Sequence, residues 1–196
     1  LLPAPFFSTV ALAVPAILAA GSGDQKAALL PDIAGGATRA TFAFGAAPSA
    51  AGIAATLAKQ GAGFVLTGEA AYVPHGHVAD LLLIPARAAG STGGDGISLV
   101  ALPANHPGIS IEKLTSLDLT RPLSRIRFDK VAVGAEQVLG APEGAGTAFA
   151  RTLHIGAALL AAEQVGGAER CLEFTTDYAK QRVQFGRLIG SFQAVK

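Results

Sequence analysis

Tryptophan and methionine are absent from the 196 residues, and cysteine occurs once, at Cys171. A single thiol excludes an intrachain disulfide framework and a cysteine-based metal site. Its place on an expected helix reads as a buried, inert thiol rather than a nucleophile. Charge is also scarce, at 15% of residues with a formal net charge of +1. No basic run and no basic–aromatic stripe occurs, so nucleic acid is excluded as a partner class. Among four histidines only His75 and His77 are close, with no carboxylate at ligand spacing, and no metal site is expected. The absence of methionine, with a start at Leu1, reads as an internal portion of a longer protein. What the chain has in quantity is apolar surface: 51% hydrophobic residues suffice for a sizeable core in one or two domains.

The opening run "LLPAPFFSTVALAVPAILAAG" carries no charge and is long enough to imitate a membrane span or a signal peptide. It lacks the basic start of a signal peptide. Pro3, Pro5, Pro15 and the many alanines favour a buried helical hairpin, made with "GSGDQKAALLPDIAGG", over a membrane span. Phe6, Val10, Val14, Ile17 and Leu18 keep near-helical spacing. Asp24 is the expected cap of the second helix, closed by Pro31 and Gly35–Gly36.

From Thr38 to about Val138 short β-prone runs recur: "RATFAF", "GFVLTG", "ADLLLIPA", "GISLVALP", "GISIEKL" and "LSRIRFDKVAV". Six or so strands at this spacing predict a small antiparallel barrel or sandwich. Helix returns from Thr147 to Phe185, where Phe149, Leu153, Leu160, Val165, Leu172, Ala179 and Val183 trace an apolar stripe. Gly156, Gly166 and Gly167 interrupt it at roughly 1 kcal/mol each against alanine, which implies close approach by another helix or a ligand. Gly186 is expected to end the helix and Ser191 to cap the next. The fold class is therefore α+β and multi-domain: helices, then a β domain, then a helical bundle.

"DYAKQRVQFGRLIGSFQAVK" closes the chain. Arg182, Gln184 and Phe185 bring a guanidinium, an amide and a ring to one helix end. Those groups suit a ligand with phosphate and a flat ring. A solvated end, with arginine complementing the helix dipole, accounts for the same residues.

Four blocks in unbroken order then resemble the acyl-CoA dehydrogenases: "GSGDQKAALLPDIAGGATRA", "LTGEAAYVPHGHVAD", "RIRFDKVAV" and "AAEQVGGAERCLEFTTDYAKQRVQFGRLIGSFQAVK". The most specific part is R-x-Q-F-G-x-x-I followed by F-Q-A-V. The resemblance divides the chain into the end of an N-terminal α-helical domain (1–37), a middle β domain (38–138) and the start of a C-terminal α-helical domain (139–196). It implies an FAD flavoprotein that oxidises the Cα–Cβ bond of an acyl-CoA, a carboxylate taking the α-proton and hydride passing to flavin N5. It further implies a cytoplasmic homo- or hetero-oligomer, dimer or tetramer, with the flavin across a subunit interface. An electron-transfer acceptor and a place in fatty-acid or steroid side-chain degradation complete that expectation.

By position, Arg182 matches the arginine that reaches a neighbouring subunit's FAD diphosphate, as a fixed donor fork should. Gln184 and Phe185 match its neighbours, and Gln193 matches a glutamine that also touches FAD. The family's flavin-holding residues in the β domain are altered. Gly45-Ala46-Ala47 stands for Thr-Glu-Pro, leaving Ser49 the only hydroxyl of that loop. Tyr72-Val73-Pro74 stands for Trp-Ile-Thr; Tyr72 keeps an aromatic wall, but Pro74 donates nothing. His75, next in line, is read as a plain loop histidine, with substitution as the missing donor the alternative. His154 and Ala157 replace an aspartate and an arginine of the CoA site. No catalytic residue is expected within 1–196: the base of most relatives lies further on, and Glu163 and Glu169 align with other positions. Two functions follow, an active dehydrogenase or a non-catalytic subunit that completes a partner's FAD site.

Overall fold

The computed structural model describes residues 3–195. They divide into two compact units, one reaching to Gly156 and the other running from Ala157. In the first unit a π-helical turn, Ser8–Ala13, leads into α1 (Val14–Ala20), and α2 (Gly23–Ala34) follows. The buried face is Leu12, Ala13, Ala16 and Ile17, whereas Phe6, Val10 and Leu18 are exposed. Of the apolar residues at helical spacing only Ile17 is fully buried, and the alanines beside it let the backbone come close to the sheet. Thr9 fixes that approach by donating from Oγ1 to the Ala40 carbonyl at 2.7 Å. No helix of the described residues is long and apolar enough to cross a membrane.

Ser22, not Asp24, caps α2. Its Oγ accepts from the Gln25 N–H, and Gln25 Oε1 accepts from the Ser22 N–H, a reciprocal capping box. Gln25 also reaches across the unit: Nε2 donates to the carbonyls of Glu136 at 3.0 Å and Val138 at 2.8 Å, and Oε1 accepts from Gly140 N–H at 3.1 Å. Pro31 lies inside α2, and the helix closes at the expected glycine pair, with Gly35 as its C-cap and Gly36 at φ +78°.

The sheet strands are β1 (Ala40–Phe42), β2 (Thr56–Gln60), β3 (Gly63–Pro74), β4 (Leu81–Arg87), β5 (Ile97–Pro103), β6 (Ile109–Lys113), β7 (Leu123–Val133) and β8 (Val138–Leu139). Their order is β6-β7-β3-β2-β4-β5-β8, with β1 added parallel to β4. Six of them coincide with the six anticipated runs. β2 escaped notice because it buries only Leu57 and takes its identity from the hairpin to β3, Gln60 opposite Gly63. Most ladders are antiparallel, but β1 and one residue pair of β2 run parallel to β4. Arg39 and Asp80 clamp the start of that parallel pair, Nε to Oδ2 at 2.8 Å and Nη2 to Oδ1 at 2.7 Å. These bonds hold the Asp80 carboxyl down at about 2, so the pair stays ionised until pH falls toward that value.

Two cores flank the sheet. Leu66, Val73, Leu82, Ile84, Val100, Leu102, Ile126 and Phe128 fill one. The other joins Leu12, Ala16 and Ile17 of the helices to Phe42, Leu83, Leu99, Leu139 and Phe149. Phe149 opens α3 (Gly146–Gln181), whose buried residues are Phe149, Thr152 and Gly156. A Cβ at Gly156 would come within 2.5 Å of Leu12 Cδ2, so close approach explains this glycine. Gly166 and Gly167 face open space, and Val165, Leu172, Phe174 and Tyr178 are exposed. The stripe beyond Ala157 is therefore uncovered by the described residues, and Cys171, expected to be buried, is exposed.

Gln25→Ala removes the amide that ties α2 to residues 136–140. Urea unfolding of this variant is expected to show a loss of about 1–3 kcal/mol, the range for stranding partly buried partners.

Candidate functional site

β3 carries a bulge close to its end. Between Ala70↔Ile126 and Val73↔Ser124 it advances three residues while β7 advances two. The extra residue lets Tyr72 turn outward, at φ +57° and 53% exposed, while Val73 is buried. The Pro74 carbonyl accepts from Thr41 Oγ1 at 2.6 Å. Pro74 thus offers neither an N–H nor an open carbonyl, and Tyr72 is the outward-facing group of this wall.

His75 follows at φ +54°, only 6% exposed, and neither ring nitrogen has a hydrogen-bond partner. Its backbone N–H donates to the Pro122 carbonyl at 2.8 Å. Burial, then His77 and Arg121, push its pKa below the ordinary value, with the Thr120 backbone a lesser influence the other way. His77 is lowered too, by burial and then Lys113. Its backbone N–H donates to Ser124 Oγ at 3.0 Å. The histidine is thus no exposed loop residue, a difference that its sequence neighbours Pro74 and Gly76 do not signal.

Gly45 lies in the loop after β1 at φ +98°, and a Cβ there would collide with the Gly52 carbonyl. The loop closes through Ala46 N–H to Gly52 O at 3.2 Å, with Ser49 exposed and forming no side-chain cap. Arg87, which sequence reasoning passed over, holds this loop. Its Nη2 donates to Ala50 O at 2.7 Å and Gly93 O at 2.8 Å, and its Nη1 donates to Asp95 O at 3.1 Å. One guanidinium thereby fastens the 45–52 loop to the β4–β5 connection, and only its place at the end of a strand hinted at that.

In the second unit α3 ends at Gln181, four residues before the anticipated Phe185. Arg182 N–H still donates to Tyr178 O at 2.8 Å, but its carbonyl accepts from Ile189 at 2.8 Å and closes a hairpin. That hairpin is β9 (Val183–Gln184) and β10 (Arg187–Leu188), turning at Phe185 (φ +52°) and Gly186 (φ +78°). Two left-handed residues make the tight turn whose twist suits a hairpin. A phenylalanine there is unusual, and Phe185 is 93% exposed, meeting Phe192 edge-on at 6.3 Å. Gln184 Nε2 donates to Val183 O at 2.9 Å. Arg182 and Gln193 are exposed. Ser191 caps nothing forward; its Oγ donates back to Leu188 O at 2.7 Å. Arg182, Gln184, Phe185 and Gln193 thus share the second unit, whereas Gly45 and Tyr72–Pro74 belong to the first.

A family model described as "Acyl-CoA dehydrogenase, C-terminal domain" matches residues 144–196. An acyl-CoA dehydrogenase of Bacillus subtilis (strain 168) is 34% identical over 185 residues, 91% of this chain and 48% of that protein. The butyryl-CoA dehydrogenase structure from Megasphaera elsdenii superposes with a TM-score of 0.90 at 28% identity, covering 96% of this chain and 51% of that one. PigA with FAD and proline gives 0.88 at 27% identity, over 96% and 50%. The chain belongs to the acyl-CoA dehydrogenase family, whose cofactor is FAD. It spans about half the length of the curated relatives it matches.

Arg87→Lys keeps the charge and loses the fork. Residues 45–52 and 88–96 are expected to exchange amide hydrogens faster together, with stability lower by roughly 1–3 kcal/mol.

Proposed function

We propose that the protein containing this chain is an FAD-dependent acyl-CoA dehydrogenase, and that Arg182, Gln184, Phe185 and Gln193 hold the dinucleotide of a neighbouring subunit. The observation that carries this reading is Phe185: an apolar ring, 93% exposed, on a left-handed backbone that bulky residues avoid. A hairpin of this kind costs free energy in the isolated chain and is offset when the ring is covered by a ligand. Beside it the exposed Arg182 guanidinium makes no side-chain hydrogen bond or ion pair among the described residues, which suits a fork waiting for phosphate. Tyr72 would provide the flat wall in the first unit, and Gly45 a backbone turn that no side chain obstructs. When bound, FAD supplies the hydride acceptor. The residues present would bind and orient it and exclude water from one ring face. Neither Glu163 nor Glu169 is assigned as the base.

The altered side of the site favours a second reading, a non-catalytic subunit of a heteromeric dehydrogenase. Pro74 has no donor and its carbonyl is taken by Thr41, while the loop from Gly45 offers Ser49 alone as a hydroxyl. Groups suited to another subunit's FAD are kept, and those suited to its own are reduced.

Arg182→Ala in the full-length protein is expected to weaken FAD retention by about ten- to a hundredfold, the worth of a charge-assisted hydrogen bond. Flavin absorbance of the purified protein measures it, and unchanged retention would overturn the role of Arg182. One FAD per chain with reduction by an acyl-CoA supports the enzyme; fewer flavins than chains in a mixed complex supports the second reading.

A further inference from the structure

His75 combines three costs in one residue. Its backbone is left-handed at φ +54°, the residue is 6% exposed, and neither ring nitrogen makes a well-formed hydrogen bond, the Thr120 backbone alone lying close enough to act on the ring. A buried imidazole without a partner forfeits the bonds it would make with water, so it persists only where it serves something else. Its location gives that purpose. His75 follows the Tyr72–Pro74 wall directly, and its own N–H donates to Pro122, which ends the nine-residue connection between β6 and β7. That connection is braced by Asp118, whose Oδ1 accepts from the Thr120 N–H at 2.8 Å and its hydroxyl at 2.6 Å. The wall and the connection therefore meet at this residue, through its backbone N–H to Pro122 and its ring near the Thr120 backbone.

We propose that His75 is a positioning residue: its neutral ring wedges the Tyr72–Pro74 wall against the Thr120–Pro122 segment, and taking up a proton releases both. The inference rests on the reading of that wall as a flavin surface. Burial first, and then charged groups around the ring, make the protonated state unwelcome, against a smaller opposing hydrogen bond from the Thr120 backbone. His77 and Arg121 act on it directly, Lys113 acts on His77, and the acid of the connection, Asp118, is engaged with Thr120 and Arg121. Arg121 also lies over the Phe7 ring at 5.1 Å. Because burial lowers the folded pKa, the unfolded chain binds the proton first. The wedge is fully in place above the ordinary histidine value and is lost as pH falls from there through the folded value.

The test uses the full-length protein, wild type and His75→Asn, which tolerates the left-handed backbone and does not titrate. His75→Gly is the second variant should asparagine impair folding, and His77→Asn controls for the neighbouring imidazole. Hydrogen exchange of residues 70–78 and 114–123, with times scaled for the intrinsic rate, is followed from about pH 8 to about pH 5 beside an FAD titration. In wild type and His77→Asn both segments are expected to open several-fold together as pH falls, with FAD affinity dropping in step. In His75→Asn or His75→Gly the step is expected to vanish. The same pH step in the His75 variants, or none in wild type, overturns the proposal. A His75-dependent step in a protein that binds no FAD at any pH supports the wedge and overturns the cofactor reading instead.

Discussion

The structure depends on the ladder between β4 and β5, which is apolar on both faces. Leu82, Ile84, Val100 and Leu102 enter one core while Leu81, Leu83, Ile97 and Leu99 enter the other. Such a pair cannot take its register from alternating polarity, because a one-residue slip would exchange one apolar face for another. The charged residues at its ends set the register instead. Asp80, clamped by Arg39, precedes Leu81, and Arg87 ends β4 with its guanidinium bonded to loop carbonyls. A slip would drag either charge toward the core, which costs far more than any apolar mismatch.

That arrangement leaves the exposed end of β3 free to depart from regular structure. Tyr72 and His75 both take left-handed conformations, and the bulge between Ala70 and Val73 turns the tyrosine outward. Phe185 does the same on the hairpin of the second unit. Each such residue costs on the order of 1–2 kcal/mol. Strain of this kind gathers where a ligand or partner completes the surface. Lys130 and Glu143 are left-handed as well and lie outside the candidate site, so the strain includes Tyr72, His75 and Phe185 without singling them out.

Much of the architecture could be read from neighbouring residues. The run "LSRIRFDKVAV" is β7 to the residue, and Phe149 opens the long helix on its buried side. Glycine-156 was rightly read as a point of close approach. The same argument fails at Gly166 and Gly167, which meet nothing among the described residues. Of the candidate site, residue identities were legible from the family motif, but their settings were not. Arg182 to Phe185 were placed on a helix, and the structure puts Phe185 at a hairpin turn.

Most local order along this chain, which runs are helix and which strand, is set by side chains within four positions of one another, so the amino-acid sequence alone determined it. Which face is buried was decided by distant partners. The alanine face of α1 packs inward because the sheet comes close, β2 exists because β3 pairs with it, and Gln25 finds the Val138 carbonyl 113 residues away. His75 shows the difference best: its sequence makes it a loop histidine, and only the closing of the β6–β7 connection over it leaves an imidazole buried without a partner.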